Sequence, residues 1–312
     1  MKRELFFTCN ICGQRGVFRT EHYDDPEISS CASCGSNVRF RWLVHRLSLE
    51  LFGRSIPLPD LPARPEITGI GLTDPACIAE VLAQRFCYRN TFLHAEPRFD
   101  IRSDPSPLGA LDFLIASEVF EHVEPPVNRA FRNAATLLKE SGFMLLTVPW
   151  VWDGSDPLPE LYDWKLECQG GESIIVNRRP DGKIERFRDL SFDNGPGRSL
   201  GRTREHFAEL YKWSIIEGGE SREAGDFRRL KNRRRDGTEE VFYNLAFHGG
   251  IGFALEMRLF TKRSLESSLR EAGFAQVEFD FEYHEEFGIV FRLPWGRPIV
   301  ARRGLGLSSE DR

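Results

Sequence analysis

Four cysteines near the start of the chain have the residue type and the spacing of a metal site. Cys9 and Cys12 form one Cys-x-x-Cys pair, and after 18 intervening residues Cys31 and Cys34 form a second pair. Each pair can place two thiolates close enough to share one tetrahedral ion. Because four thiolates fill the coordination shell and leave no position for water, the pattern predicts one structural Zn²⁺.

The residues around these pairs suit the turns that such a site needs. Gly13 follows the first pair and Gly35 follows the second, and glycine permits tight turns whose backbone amides point at the thiolate sulfurs. His22 lies between the pairs but is surplus to a complete set of ligands. The alternative is four reduced cysteines used as small core residues. We expect a zinc-ribbon-like module over residues 1–40.

A second group of residues has the pattern of a nucleotide site. The segment EITGIGLTDPACIAEVLAQRF predicts a short buried strand, a Gly-x-Gly turn at Gly69 and Gly71, and a helix from about Pro75 to Phe86. The two glycines would let the backbone approach a ligand, and Asp74 has the position of the helix N-cap. The third glycine of the dinucleotide-binding pattern is missing, so this segment alone does not specify the ligand.

Acidic residues accompany the next predicted strands. NTFLHAEP ends in Glu96, RFDI carries Asp100, and LDFLIAS predicts an apolar strand from Leu111 to Ser117. In an open parallel sheet the ligand lies across the carboxyl ends of the strands, where a carboxylate can accept hydrogen bonds from both hydroxyls of a ribose. The alternative for these two acids is a turn residue and a cap. The predicted cofactor-binding residues are Gly69, Gly71, Glu96, Asp100, Ser117 and Glu118.

The stretch LDFLIASEVFEHVEPPVNRAFRNAATLLKESGFMLLTVP resembles the class I methyltransferases. In that family an apolar strand leads to a Glu-His-Val segment, here Glu121 to Val123. An amphipathic helix, a glycine turn (Ser141-Gly142) and another buried strand follow. FTKRSLESSLREAGFAQVEFDFE looks like the family's last helix, its Ala-Gly-Phe turn and the closing strand. The resemblance covers about half the chain. It implies an α/β fold with a Rossmann-like doubly wound sheet, and S-adenosylmethionine as the cofactor.

One departure from the family pattern concerns the glycine loop. The family usually has an acidic residue and more glycines where this chain has only Thr68-Gly69-Ile70-Gly71. The departure leaves the fold prediction unchanged. It keeps open the alternative of a non-catalytic, zinc-containing binding protein with a degenerate cofactor site.

The middle of the chain repeats itself. Leu161-Tyr162-Asp163-Trp164 matches Leu210-Tyr211-Lys212-Trp213, and NRRPDG from Asn177 matches NRRRDG from Asn232. Two copies are too few for a solenoid, so we predict a tandemly duplicated insert on the substrate side at residues 151–255. The other predicted divisions are a connecting helix and linker at 41–56, a cofactor-binding core at 57–150 and the C-terminal part of that core at 256–312. The helix is predicted from the helical spacing of Trp42, Leu43, Leu47 and Leu51.

Three histidines are candidates for a general base. Methyl transfer from a sulfonium is a direct displacement, so positioning and desolvation supply most of the rate. A base is needed only where the acceptor is a hydroxyl or ammonium that must lose its proton, and histidine suits this role near neutral pH. We expect His122, with His206 or His248, to face a hydroxyl of a small-molecule or glycan acceptor. The alternatives are a helix-start residue for His122 and a turn cap for His248.

Composition narrows the class of protein. The chain has 312 residues, 41% of them hydrophobic, and a net charge of −5, as in a globular protein with one large domain and a smaller part. No apolar run approaches the roughly 20 residues of a membrane span, and the start lacks a signal-peptide core, so we expect a cytoplasmic protein. The acidic charge does not favour a nucleic-acid partner. The basic run from Arg228 to Arg235 is predicted to be a solvated loop.

Two further alternatives are enzymes. An RNA methyltransferase is one, because a zinc module before a methyltransferase domain is similar to one group of ribosomal RNA enzymes. A nicotinamide-dependent oxidoreductase on the same sheet is the other, although the missing third glycine and the Glu-His-Val segment disfavour it. The zinc module is expected to lie over the substrate side or against a second subunit, so a homodimer is a further prediction.

Overall fold

The structure is a computed structural model, and it describes part of the chain. The described residues are 4–18, 28–103, 110–123, 127–151, 164–169, 172–178, 184–188, 210–217, 228–234, 237, 239–248, 254–256, 260–290 and 297–304. The helices are α1 (Val38–Phe52), α2 (Ala76–Arg85), α3 (Val127–Leu137) and α4 (Lys262–Glu271), and 3-10 turns span Leu58–Asp60, Phe120–His122 and Glu285–Phe287. The strands are β1 (Leu5–Thr8), β2 (Arg15–Phe18), β3 (Arg64–Leu72), β4 (Phe86–Thr91), β5 (Leu111–Ser117), β6 (Leu138–Thr147), β7 (Trp150–Val151), β8 (Trp164–Gln169), β9 (Glu172–Arg178), β10 (Ile184–Arg188), β11 (Leu210–Glu217), β12 (Arg228–Arg234), β13 (Glu239–His248), β14 (Ala254–Glu256), β15 (Phe260–Thr261), β16 (Gln276–Phe279) and β17 (Ile299–Arg302).

A six-stranded sheet in the order β16-β17-β6-β5-β3-β4 forms the centre of the fold. Strands β4, β3, β5 and β6 pair in parallel, and β17 runs antiparallel between β6 and β16. Strand β5 is apolar on both faces, as expected for a central parallel strand covered by helices on either side. The predicted α/β, Rossmann-like doubly wound sheet is therefore confirmed.

Each face of the sheet has its own hydrophobic core. Alternate residues of a strand point to opposite faces. Phe113 and Leu145 accordingly pack with residues of α1 and α2, whereas Leu114 and Met144 pack with residues of α3 and α4. On the first face Trp42 of α1 is almost completely buried. The helix predicted from the apolar spacing around this tryptophan is α1. Together with α2 it covers this face of the sheet.

The predicted Gly-x-Gly turn was wrong. Gly69 and Gly71 lie inside β3 and pair with β4 and β5. A Cβ at Gly69 would overlap the ring of Phe113, and a Cβ at Gly71 would overlap Tyr88 and the carboxylate of Asp74. These glycines are thus required by side chains of neighbouring strands and of the turn after β3. The glycines in the sequence indicate only that some group lies close to the backbone at these positions. They do not indicate whether that group is a ligand or a side chain.

Other local predictions were also wrong. Asp74 does not cap α2, whose N-cap is Pro75, with no side-chain hydrogen bond. The strand expected to end at Glu96 ends at Thr91, and Asp100 lies in a turn after it. The Ser141-Gly142 pair lies within β6, where a Cβ on the glycine would be 2.8 Å from the carbonyl oxygen of Leu111.

The predicted insert contains two antiparallel sheets. Strands β8, β9 and β10 form one, and β11 to β14 form the other. The register pairs Trp164 with Asn177 in the first sheet and Trp213 with Asn232 in the second, so both sequence copies have the same cross-strand pair. The domain boundaries themselves remain a prediction.

The basic run is not a loop over its described length. Residues Arg228–Arg234 form β12, which pairs with both β11 and β13. The register sets Glu239 opposite Arg233, and opposite charges across a ladder stabilise a strand pair. Among the helices of the described residues, none has the length and apolarity needed to cross a membrane.

Candidate functional site

The four cysteines of the sequence pattern come together in one cluster. Their Sγ atoms all lie within 4.8 Å of one another. Cys9 and Cys34 are 3.8 Å apart and Cys12 and Cys31 are 3.6 Å apart, measured between Sγ atoms. A tetrahedral ion with Zn–S bonds of about 2.3 Å requires sulfurs about 3.8 Å apart. The donor set and its spacing therefore fit Zn²⁺.

The turns around the cluster are those expected of two knuckles. Gly13 and Gly35 have φ values of 75° and 71°, which favour glycine, and their amides donate to the carbonyl oxygens of Cys9 and Cys31 at 2.7 and 2.9 Å. Burial raises the pKa of the Cys31 thiol, but the amides of Cys34 and Ser33 donate to its sulfur and lower it from 9.0 to about 7. Burial raises the pKa of the Cys9 and Cys12 thiols, so the charge of a bound ion is needed to hold these two as the thiolates that bind metal.

A buried arginine lies against this cluster. Arg41 of α1 is fully buried, and its guanidinium donates to the Oγ of Ser30 at 2.8 Å and to the carbonyl oxygen of Ser36 at 3.0 Å. Burial lowers the pKa of Arg41 to about 10, against the attraction of the four cysteines, which raises it. A thiolate cluster holding a divalent ion carries two excess negative charges, so a guanidinium beside it lowers the cost of burying them.

The carboxyl ends of β3 and β5 form the edge where a cofactor is expected in this fold. Thr73 follows β3 with φ of 67°, and Glu118 follows β5 with φ of 54°. Both are non-glycine residues in the left-handed region, where strain of about 1–3 kcal/mol marks functional sites. The amide of Thr73 donates to the Thr91 carbonyl at 2.8 Å, and that of Glu118 to the Thr147 carbonyl at 2.9 Å. Hydrogen bonds to the last residues of β4 and β6 therefore hold both backbone conformations.

Arg39 reaches this edge from α1. It is 5% exposed, and its guanidinium donates to the Oγ of Ser117 at the end of β5. Its positive charge also acts on Asp74, which follows β3. Arg39 therefore lies between the ends of two strands, and sequence reasoning missed it. The signal available was a cation in the first turn of a helix whose other positions are largely apolar.

Asp74 is the buried carboxyl group of this edge. It is 5% exposed and accepts a hydrogen bond of 2.6 Å from the hydroxyl of Tyr88. Burial raises its pKa from 3.8 to about 7, against the hydrogen bond from Tyr88 and the charge of Arg39, which lower it. Its backbone N–H and C=O groups both bond to the side chain of Asn90. The carboxyl group titrates in the neutral range.

The predicted cofactor residues divide into three groups. Ser117 and Glu118 lie at the edge, and the Oε1 atom of Glu118 is buried with no hydrogen-bond partner among the described residues. Gly69 and Gly71 lie behind it, inside β3, where protein side chains occupy the space beside them. The third group, Glu96 and Asp100, lies in the turns that follow β4.

Glu96 and Asp100 are engaged with neighbouring arginines. Exposed Glu96 accepts from the amide of Arg98 at 3.1 Å. Asp100 is half-buried and forms an ion pair of 2.9 Å with Arg102. Burial raises the pKa of Asp100, but the hydrogen bonds and charge of Arg102 outweigh it, so the pKa is lowered. Asp100 is therefore ionised at neutral pH.

Two of the three candidate bases, His122 and His248, lie among the described residues. His122 ends the 3-10 turn after β5, with its Nε2 3.4 Å from the fully buried carboxylate of Glu121. Strand β14 lies against this turn. His248 is at the end of β13, where its backbone pairs with Ala254 of β14, so strand β14 contacts both His248 and the turn that carries His122. His206 lies outside the described residues.

An aromatic cluster occupies the same edge of the sheet beyond β6. Trp150 packs edge-on against Phe279 and Phe281, at centroid distances of 5.1 and 6.2 Å. The guanidinium of Arg297 lies 5.2 Å from the ring of Phe281 and 5.5 Å from that of Tyr283. Phe281 and Tyr283 are 41% and 54% exposed. This edge therefore presents aromatic rings to solvent beside a cation.

Comparisons with known proteins give likenesses in fold. No family model matches the chain, and no curated protein matches it. Among solved structures, the sugar N-methyltransferase KedS8 from Streptoalloteichus sp. is 11% identical, with a TM-score of 0.38, and the match covers 85% of this chain and 86% of that chain.

Two other solved structures are similar to the same extent. SAM-bound CalS10, an amino pentose methyltransferase from Micromonospora echinaspora, is 12% identical, with a TM-score of 0.35 and coverage of 84% of this chain and 88% of that chain. DesVI from Streptomyces venezuelae is 10% identical, with a TM-score of 0.35 and coverage of 78% and 84%. With TM-scores this low, these likenesses assign neither a substrate nor a functional residue to this chain.

Proposed function

We propose that the chain is an S-adenosylmethionine-dependent methyltransferase that acts on a small-molecule or glycan acceptor, with a hydroxyl as the methylated group. One observation carries the proposal. At the carboxyl ends of β3 and β5, the buried guanidinium of Arg39 and the buried carboxyl group of Asp74 meet two strained residues, Thr73 and Glu118. In an open parallel sheet this is the edge where a ligand binds, and strain is retained where function requires it.

The residues at this edge fit the chemical groups of the cofactor. The guanidinium of Arg39 would bind the carboxylate of the methionine half, because an arginine fork matches a carboxylate with two hydrogen bonds. The buried Oε1 of Glu118, which has no partner among the described residues, would accept from the ammonium group. Asp100, which is ionised at neutral pH, or Glu96 would accept from the ribose hydroxyls. When bound, the cofactor supplies a methyl group already activated by the sulfonium.

The chain's own contribution to the reaction is to position the acceptor and to remove its proton. His122 follows β5, the strand that ends beside the proposed methyl position. The carboxylate of Glu121 next to its ring favours the protonated imidazole that forms when histidine accepts the acceptor's hydroxyl proton. His248, on the strand beyond β14, and His206 remain proposals for the same role. The insert would then exclude water from the reacting groups.

The aromatic cluster supports a ring-shaped acceptor. Phe281 and Tyr283 present rings to solvent on the same edge as the ends of β5 and β6. Aromatic faces bind the apolar face of a sugar ring, whose hydroxyls stay available to polar neighbours. We therefore assign the side of the edge beyond β6 to the acceptor, and the side formed by β3, β4 and β5 to the cofactor.

Calorimetry with S-adenosylmethionine and S-adenosylhomocysteine tests the proposal directly. The wild-type chain should bind both, and Arg39→Ala should weaken binding by about 1.5–3 kcal/mol, the contribution of a hydrogen bond to a charged group. A matched control is Arg64→Ala, because exposed Arg64 begins β3 at the opposite end of the sheet. No heat and no thermal shift with either compound would refute the proposal.

One observation favours the competing candidate, a non-catalytic zinc-containing binding protein. The space beside Gly69 and Gly71 is filled by Phe113, Tyr88 and Asp74, so these glycines give no room for a cofactor. That protein would have the same sheet and zinc module but no affinity for either compound. The same titration therefore separates the two candidates.

A further inference from the structure

We infer that the four-cysteine module is a working part of cofactor binding, and that Arg41 is the positioning residue that joins the two. The module holds the first turn of α1, and from that turn Arg39 reaches the cofactor edge. This inference rests on the proposed function, because it concerns the affinity of the chain for S-adenosylmethionine and its product.

The second knuckle runs directly into α1. Cys34 lies three residues before Asn37, the N-cap of the helix. The side-chain oxygen of Asn37 accepts from the amide of Phe40 at 2.8 Å, which fixes the start of the first turn. Arg39 is the second residue of that turn. Only five positions of the chain separate Cys34 from Arg39, so the position of the knuckle constrains that of Arg39.

Arg41 connects the helix to both knuckles. Its guanidinium donates to Ser30 and Ser36 of the second knuckle. Its carbonyl oxygen accepts from the side chain of buried Asn10, in the first knuckle, at 2.7 Å. The guanidinium also donates to the carbonyl oxygen of Gly288 at 3.0 Å. One residue thus joins the module, α1 and the loop between β16 and β17.

The two arginines point to different sides of the same turn. Residues two apart in a helix do not face each other. Arg41 accordingly contacts the module, where its guanidinium also lies 4.5 Å from the ring of Phe7, and Arg39 contacts Ser117 at the sheet edge. The first turn is held between the module and the edge. We therefore expect the angle at which Arg39 meets a ligand to depend on the contacts of Arg41.

The middle of α1 provides a matched control. Arg46 is also buried, and it forms ion pairs with Glu50 and Glu278 at 2.9 Å and with Asp280 at 3.4 Å. These partners lie on α1 and at β16, away from the zinc ligands and from Ser117. Arg46→Lys therefore disturbs the same helix to a similar degree without loosening its first turn.

The experiment compares Arg41→Lys with Arg46→Lys in the full chain. Lysine keeps the charge but cannot reproduce the several directed hydrogen bonds of a guanidinium. We expect Arg41→Lys to retain its zinc, measured by atomic absorption. We also expect it to weaken S-adenosylhomocysteine binding about tenfold in calorimetry, while Arg46→Lys changes this affinity less than twofold. Both variants should have lower melting temperatures.

A double variant separates positioning from a general loss of stability. If Arg41 acts through Arg39, then Arg39→Ala combined with Arg41→Lys should bind S-adenosylhomocysteine no more weakly than Arg39→Ala alone. Additive losses of S-adenosylhomocysteine affinity in the double variant, or an equal loss in Arg46→Lys, would overturn this inference and leave the proposed function standing. A wild-type chain that binds neither S-adenosylmethionine nor its product overturns the proposed function, and this inference with it.

Discussion

Replacing Asp74 with Asn should make the protein more stable at neutral pH. Burial raises the pKa of this carboxyl group from 3.8 to about 7, in spite of Tyr88 and Arg39. Between about pH 4 and pH 7 the folded chain therefore binds more protons at this position than the unfolded chain does. Stability contributed by this group is thus present at low pH and is lost as the pH rises through that window. Asparagine removes the charge and keeps an acceptor for the hydroxyl of Tyr88.

The size of the effect follows from the two pKa values. One pKa unit corresponds to about 1.4 kcal/mol, so ionisation of Asp74 costs at most about 4 kcal/mol when the pH lies above both values. Asp74→Asn should approach this gain at about pH 8 and should gain little at about pH 4. Nearly complete burial, 5% exposed, means that solvent screens little of the difference.

Urea unfolding followed by tryptophan fluorescence at several pH values measures the difference. Asp112→Asn is a matched control of opposite sign. Burial raises the pKa of Asp112, but the hydrogen bonds from Lys139 and Thr68 and the charge of Lys139 outweigh it, so the pKa is lowered. Asp112→Asn should therefore lose stability at about pH 8. An Asp74→Asn variant less stable than the wild type, by the same amount at every pH, would refute the reasoning.

Five other substitutions have definite expected outcomes. The wild-type chain should contain one zinc, measured as metal content per chain, and Cys31→Ser should lose it and bind S-adenosylhomocysteine more weakly; retention of one tightly bound zinc in the variant would contradict the four-thiolate assignment. Gly71→Ala should lower the free energy of unfolding by about 1–3 kcal/mol, because its Cβ would overlap Tyr88 and Asp74; an unchanged urea midpoint would show that β3 can shift at no cost. Thr73→Gly should relieve the strain of a φ of 67° and raise the free energy of unfolding by about 1 kcal/mol, and it should weaken cofactor binding. An unchanged affinity for the cofactor would show that this strain has no part in binding. His122→Ala and His248→Ala should leave S-adenosylhomocysteine binding intact and lower turnover with a hydroxyl acceptor by about 10²–10⁴-fold; full turnover in both variants would exclude these two bases.

Patterns that depend on short spacing were predicted correctly. The Cys-x-x-Cys pairs bring four sulfurs together because each knuckle is a local turn, and the apolar run of β5 forms a buried strand because both faces are covered. The helix around Trp42 follows in the same way from its apolar spacing. In these cases the pattern that identifies the element lies within a few residues of the sequence.

Predictions failed where distant residues decide the local structure. The sequence predicted a ligand-binding turn at Gly69 and Gly71. Both residues instead lie inside a strand, where the ring of Phe113 from β5 and the side chain of Tyr88 from β4 leave no room for a Cβ. Asp74 read as a helix cap, but Tyr88 and Asn90 provide its partners. Such contacts between strands depend on register, which one sequence does not reveal.

Buried arginines were the largest omission. Arg39 and Arg41 are charged residues of α1, and charged residues are mostly exposed in proteins. Both are buried because their partners are provided by other parts of the chain, namely the knuckles, the end of β5 and the loop before β17. Sequence periodicity reports which residues avoid water. It cannot report which charged residues will find partners.

The bond from Arg41 to the carbonyl oxygen of Gly288 closes a loop of 247 residues, and the pair of Glu50 with Arg302 closes one of 252. Contacts between such distant positions carry a large loop-closure entropy and give a high contact order. We expect α1 to dock late in folding, after the central sheet has formed. The metal module would then be the last part to acquire its native surroundings and the first to lose them, so its release of zinc would report on the undocking of α1 before the central sheet opens.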